Sequence, residues 1–386
     1  MQRLRVLYIS HLHPPKNAVL ENMGGMQRVS MQLVDELLRH PDVELRPITL
    51  ETSWKHAGIN TTWFLFRLLG ELPAIIRSWR PDVVLFSSMV TASLSILLKK
   101  MVDVPLVTVN HGQDVTMPVA AYQALVPRIF DSLDGVVSVS GATRQVCIDR
   151  GMDPGKGTVI PNGFIENGKG EVIEKNDARK RLENLVDLNF SNLPILLTVG
   201  RMVRRKGHEW FIREVLPKIK HSFHYIVIGD GPERPKVVEA VNKSESSTYI
   251  HLLGRQPDGV LRAAYAASDI FVMPNIPVPG DMEGFGIVLL EANLAGTATV
   301  ASDLEGIRDV VCNGENGYRV PPEKPELFAE KIDNMLMSDS HDLGERARAY
   351  VEAKFNWKSV IQQYVDYLNR IVEHGRTLET RSMKSI

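Results

Sequence analysis

"LPILLTVGRMVRRKGHE", residues 193–209, joins an unbroken apolar run to a glycine, a basic loop and a helical pattern. A continuous Val/Ile/Leu run, without alternation, reads as a strand covered on both faces, as in parallel α/β sheets. The same grammar occupies the chain before it. "LRVLYIS" (4–10) leads into a Pro/Gly-rich loop and the helical pattern "QRVSMQLVDELLRH". "VELRPITL", "DVVLFSS", "PLVTVNHG", "GVVSVS" and "GTVIPNG" follow. After the polar stretch "ENGKGEVIEKNDARKRLENLVDLNFSN" the pattern restarts at 193. It continues through "FHYIVIGDG", "YIHLLG", "DIFVMPN", "TATVASD" and "GYRVPP". Two series of α/β units separated by a charged segment predict two similar α/β domains, with the boundary near 165–190.

Length agrees, since 386 residues exceed what one core usually supports. The 45 basic and 46 acidic side chains give a formal charge of −1, which argues against nucleic acid as a partner. The two cysteines, Cys147 and Cys312, lie far apart without metal-ligand spacing and fit a reducing compartment. The apolar run near the N-terminus is too short for a signal peptide, and no window is apolar enough to span a bilayer. These features predict a soluble, cytoplasmic protein. The polar last residues, "EHGRTLETRSMKSI", are expected to fray.

In parallel α/β domains ligands bind beyond the carboxyl ends of the strands, so the loops there are the candidates. Gly24 and Gly25 stand before a helix, where amides bind anions and glycine allows close approach; a plain turn is the alternative. His111 follows the strand "PLVTV" beside Gly112 and Asp114, placed to hydrogen-bond or exchange a proton, or simply to cap. Arg201 and Lys206 flank the loop after Gly200, with Gly207 before the next helix. Such charges neutralise a diphosphate, though a solvated basic turn reads the same way. "VIGDGPE" is no dinucleotide fingerprint: Arg234 stands where the third glycine belongs. Gly229 and Gly231 read as a tight turn. In "GDMEGFGIVLLEA" (280–292), Glu283 and Glu291 bracket a helix start whose amides and dipole favour an anion. Two carboxylates around an anion site suit a nucleotide-sugar, with phosphates in the middle and hydroxyls at each end. Two unrelated surface glutamates are the bland alternative.

Together "EGFGIVLLE", "GRMVRRKG", "GDGPE" and "IPNGF" resemble the retaining glycosyltransferases of family 4, including the phosphatidylinositol mannoside synthase type. The resemblance covers nearly the whole chain and is strongest from about 195 to 320. It implies the GT-B fold, two Rossmann-like domains facing across a cleft. The acceptor domain would be 1–170, joined by a C-terminal helix of about 358–376, and the donor domain 171–357. By residue, it implies that Glu291 binds the ribose hydroxyls and Glu283 the sugar near O3. Amides of Gly284, Phe285, Gly286, Ile287 and Val288 would contact sugar and phosphate. Arg201 and Lys206, after Gly200, would neutralise the diphosphate, and His111 would face the transferred sugar near its 6-hydroxyl. The Gly24–Gly25 loop would close on phosphates or acceptor. Gly254, Arg255 and Asp258 would edge the base, and Asp114 would be on the acceptor side. His111, Arg201, Lys206 and Glu283 would carry catalysis.

The implied reaction moves a hexose from a UDP- or GDP-sugar to a hydroxyl acceptor, with retention and with no metal or other cofactor. An epimerase of the same fold or a non-catalytic nucleotide-sugar sensor are the rival readings. The helical pattern "FNWKSVIQQYVDYLNRIV" (355–372) has an apolar face to bury against the first domain. "WFLFRLLGELPAIIRSWR" (63–80) reads as a covering helix, or as a peripheral membrane contact through its aromatics with Arg67, Arg77 and Arg80.

Overall fold

The computed structural model describes residues 3–17, 19–164, 173–338 and 340–384. Part of the expected boundary, 165–172, lies outside the described residues. The chain divides into two units, Met1–Gly163 with Trp357–Ile386, and Phe164–Asn356.

The first unit carries a six-stranded parallel sheet. Its strands are β1 (Leu4–His13), β2 (Val43–Glu51), β3 (Val83–Phe86), β4 (Leu106–Asn110), β5 (Gly135–Ser138) and β6 (Gly157–Val159), in the order β2-β1-β3-β4-β5-β6. Every residue of β3, β4 and β5 is buried, as their unbroken apolar runs require. The Ala57–Trp79 helix covers one face through Phe64, Leu68, Leu72 and Ile76, which join the core of Leu7, Ile9, Val84 and Phe86.

The apolar pattern read over 355–372 falls on two helices. One helix ends at Phe355, and the next runs from Trp357 to Lys384, so the polar tail is helical almost to its end. The break has a cause: the Phe355 carbonyl accepts the Phe164 N–H at 3.0 Å, and Asn356 forms a parallel bridge with Phe164. From Trp357 on, the helix belongs to the first unit. Trp357 is buried against Gly163 and donates its indole N–H to Gln32 Oε1 at 3.1 Å. Tyr367 donates to the Lys156 carbonyl at 2.7 Å and accepts the Val136 N–H at 3.1 Å.

The second unit repeats the architecture with β7 (Ile195–Val199), β8 (His224–Ile228), β9 (Ile250–Gly254), β10 (Ile270–Met273), β11 (Thr299–Ser302) and β12 (Gly317–Val320). The order β12-β11-β10-β7-β8-β9 is the doubly wound arrangement. Strand order reverses between β7 and β10, which pair in parallel register. The crevice at such a reversal is where open α/β sheets bind ligands.

Candidate active site

Two loops meet at that reversal. After β7 the chain passes Gly200 and Arg201 into a single 3-10 turn, Arg204–Lys206, ended by Gly207. Gly207 is left-handed at φ +65°, and a Cβ there would lie 1.9 Å from the Pro274 carbonyl oxygen. Only glycine lets the β7 loop press onto the loop after β10 so closely. That second loop runs through Asn275 and Asp281 to Glu283.

The contact brings Lys206 and Glu283 together. Lys206 Nζ lies 2.5 Å from Glu283 Oε2, with both side chains about nine-tenths buried. Arg205 adds its Nε at 3.5 Å from the same oxygen and its Nη1 at 3.2 Å from Asp281 Oδ1. Asn275 Nδ2 donates to Glu283 Oε2 at 3.0 Å. Burial alone would push the Glu283 carboxyl up; Lys206 and Arg205 more than undo this and hold it at about 2. Lys206 is drawn below the usual lysine value by burial, against the pull of Glu283. At neutral pH Glu283 is ionised and clamped against Lys206.

Past Glu283 the chain turns through Gly284 and Phe285, both buried, to Gly286 and the Ile287–Leu294 helix. Gly286 caps that helix in a left-handed conformation, φ +88°. The first-turn amides, at Ile287 and Val288, have no earlier carbonyl in the helix to bond, which makes this end receptive to an anion. Glu291 follows one turn on, held by the Tyr265 hydroxyl, which donates to its Oε2 at 2.8 Å. Gly254 ends β9 and its carbonyl accepts the Gly229 N–H at 2.7 Å. Gly229 is less a turn than a close approach, since a Cβ there would meet the Gly200 carbonyl oxygen at 1.9 Å. Arg255 and Asp258 are exposed beyond β9, with Asp258 opening the Asp258–Ala267 helix.

Arg201 is exposed, so the buried cations here are Lys206 and Arg205. Sequence reasoning missed Arg205 and Asn275. Arg205 was one of three consecutive cations with nothing to rank it, and Asn275 looked like an ordinary loop residue after β10. Behind this loop His208 is buried with neither ring nitrogen hydrogen-bonded, and burial beside Lys206 lowers it to about 4.

In the first unit, Gly24 caps the Gly25–Arg39 helix in extended conformation, φ −133°. His111 is buried after β4, and its Nε2 donates to the Ser87 carbonyl at 3.0 Å, fixing the ring between the ends of β3 and β4. Any ligand contact of that ring falls to Nδ1. Asp114, three residues on, is buried as well. It is 4% exposed, with Oδ1 accepting the His111 N–H and Oδ2 accepting the Met89 N–H, each at 2.9 Å. It ties the loop after β4 to the loop after β3. His11, at the end of β1, had drawn no notice; burial, with His111 nearby, lowers it to about 4. Among the described residues no cluster of three or more His, Cys, Asp or Glu is arranged to hold a metal ion.

Two family models match the chain, "Glycosyltransferase Family 4" over residues 23–165 and "Glycosyl transferases group 1" over 193–338. This chain belongs to the family 4, group 1 glycosyltransferases. The glycosyltransferase is 25% identical to the phosphatidyl-myo-inositol mannosyltransferase of Mycobacterium tuberculosis, over 75% of this chain and 74% of that one. It is 29% identical to an uncharacterized glycosyltransferase of Methanocaldococcus jannaschii, a match that spans only 45% of this chain and 44% of that protein. Among solved structures, sucrose-phosphate synthase from Thermosynechococcus elongatus superposes with a TM-score of 0.76 at 20% identity, covering 96% of this chain and all of that one. Anabaena HepE in complex with UDP and glucose superposes at 0.70 and 17%, covering 95% and 100%. The glycosyltransferase thus has the GT-B fold.

Proposed function

We propose that the enzyme transfers a hexose from a UDP- or GDP-linked donor to a hydroxyl acceptor, with retention and without a metal ion. The donor would occupy the domain expected at 171–357, and the acceptor the one at 1–170 with the C-terminal helix. The observation that carries this reading is the Glu283 carboxylate. Lys206, Arg205 and Asn275 all close on Oε2, leaving Oε1 to accept from a sugar hydroxyl. The helix start at Gly286 takes the diphosphate, and Glu291 takes the ribose at the far end. Lys206, Arg205 and Arg201 supply the positive charge that a departing diphosphate needs. The leaving oxygen accepts the proton of the attacking hydroxyl, and no enzyme nucleophile is formed. His111 lines the sugar side, the Gly24–Gly25 loop the phosphates or acceptor, and Gly254, Arg255 and Asp258 the base. Relatives named as mannosyltransferases, one of them GDP-mannose-dependent, and a neighbour solved with UDP support a nucleotide-sugar donor.

The test is incubation of isotopically labelled UDP- and GDP-hexoses with sugar and lipid acceptors, with and without chelator. Proton NMR of the product then reads its anomeric configuration. A new glycoside of the donor's configuration, formed equally in chelator, is expected; an inverted product or full loss in chelator overturns the reading. Conversion of the sugar with no acceptor present would favour the epimerase, and binding without turnover the sensor.

A lipid-linked acceptor is favoured by one surface. On the Ala57–Trp79 helix, the face away from the core exposes Ile59 (67%), Trp63 (71%) and Phe66 (72%), near Arg67 and Arg77. Exposed aromatics beside cations suit peripheral contact with an anionic bilayer. None of the helices is long and apolar enough to cross a membrane, among the described residues.

A further inference from the structure

Glu305 lies in the turn after β11. Its backbone is left-handed, φ +46°. That conformation strains a non-glycine residue and lasts only where the surroundings hold it. Here the surroundings are Glu283. The Glu305 carboxylate accepts the Glu283 backbone N–H at 2.5 Å, and the next residue, Gly306, donates its N–H to the Glu283 carbonyl at 3.1 Å. The main chain on both sides of Glu283 is therefore gripped by one turn. The approach is as close as backbone allows: a Cβ on Gly306 would sit 2.1 Å from the Gly284 carbonyl oxygen.

We propose that Glu305 is a positioning residue for the transferred hexose, aiming the Glu283 carboxylate by holding its main chain. This rests on the donor reading above. The side chain of Glu283 is restrained by Lys206, Arg205 and Asn275, but those contacts fix only one end of the residue. Glu305 and Gly306 fix the other. The role does not require charge on Glu305. Glu283 and Asp281 face it with like charge and Arg205 with opposite charge, and burial raises its carboxyl above the usual value. A neutral carbonyl oxygen accepts the same N–H, so glutamine can replace it and alanine cannot.

The experiment compares Glu305→Ala and Glu305→Gln with wild type. Binding of UDP and GDP, and of their hexose conjugates, is measured by calorimetry, so the difference isolates the sugar end. In Glu305→Ala, bare nucleotide affinity stays, the increment from the hexose shrinks, and kcat falls about 10- to 100-fold, as misplacement of a positioning contact does. Glu305→Gln restores both. If the alanine variant does not fold, Glu305→Gly removes the acceptor while suiting the left-handed backbone. An unchanged hexose increment and kcat in the alanine or glycine variant overturns the proposal, as does a glutamine variant as impaired as alanine. Amide hydrogen exchange at Glu283 runs alongside. It quickens in Glu305→Ala and not in Glu305→Gln if the turn holds Glu283; unchanged exchange in alanine overturns the hold. Wild type that binds no nucleotide defeats the donor reading instead, and exchange at Glu283 still decides whether Glu305 grips it.

Discussion

Lys206 and Glu283 stand to each other as buried partners first and as ligand contacts second. Removing one leaves the other a charge without a counter-ion in the interior. Glu283→Gln is therefore expected to cost about 3–5 kcal/mol of stability, read from a urea melt, because Lys206 loses its anion while Arg205 keeps Asp281. Replacing both by apolar side chains, Lys206→Met with Glu283→Leu, recovers most of that stability yet leaves the enzyme inactive. Recovery of transfer in the double variant would remove both residues from the chemistry. Lys206→Ala should lower kcat by about 100-fold or more, since a charge facing the leaving group matters most in the transition state. Near-normal turnover in a folded Lys206→Ala protein defeats that role. Each of the two residues was visible in the sequence, because each follows a buried strand and neighbours a glycine. Their contact was not, as 77 positions separate them (283 minus 206) and only the β7–β10 pairing makes those loops neighbours. Arg205 and Glu305 were hidden for the same reason.

At the scale of elements, β8 and β9 carry a pair that the ligand reading does not use. His224 Nδ1 and His251 Nε2 are 3.0 Å apart, stacked among Phe190 and Tyr249. Burial lowers both, with Arg179 next for His224 and His224 next for His251, which falls to about 4. The folded state therefore prefers both rings neutral, while the unfolded chain protonates near the ordinary histidine value of about 6.5. The sign follows: stability falls as pH drops from about 6.5 toward 4 and levels below that. Urea midpoints measured from pH 7.5 to 4.5 should show this slope, reduced in His251→Phe; an equal slope in that variant rules the pair out as its source. The Ala57–Trp79 helix makes a second test. Trp63→Ser with Phe66→Ser should abolish sedimentation with anionic vesicles while leaving the melt within about 0.5 kcal/mol, because both side chains are exposed. Wild-type protein that stays in the supernatant removes the membrane reading. Strands were the most legible elements, since unbroken Val/Ile/Leu runs have few other uses. The helix break at Asn356 was not legible, because its cause is the Phe164 N–H, far away in sequence.

At the scale of the molecule, the first unit is not continuous in sequence. Its core is completed by the helix that begins at Trp357, whose Val360, Tyr364, Val365 and Leu368 are buried in the same unit. Trp357→Ala should destabilise that unit by about 3–5 kcal/mol, through the lost ring against Gly163 and the lost bond to Gln32. Two transitions in calorimetry, with only one moved by this substitution, is the expected pattern; a shift of both together would show a single cooperative unit. The sequence grammar made two α/β series plain and gave the last helix an apolar face. That grammar alone did not join the last helix to the first domain; the family resemblance implied it.

The discontinuity of the first unit has a consequence for the order of events during synthesis. Residues 1–163 leave the ribosome first, yet they lack Trp357, Tyr364, Tyr367 and Leu368, which their packing requires. Residues 164–356 form a whole unit before the Trp357 helix is made. Domains generally fold as units as they emerge. In this enzyme the earlier half must wait with an unfinished core while the later half folds, and emergence of the helix that begins at Trp357 releases it.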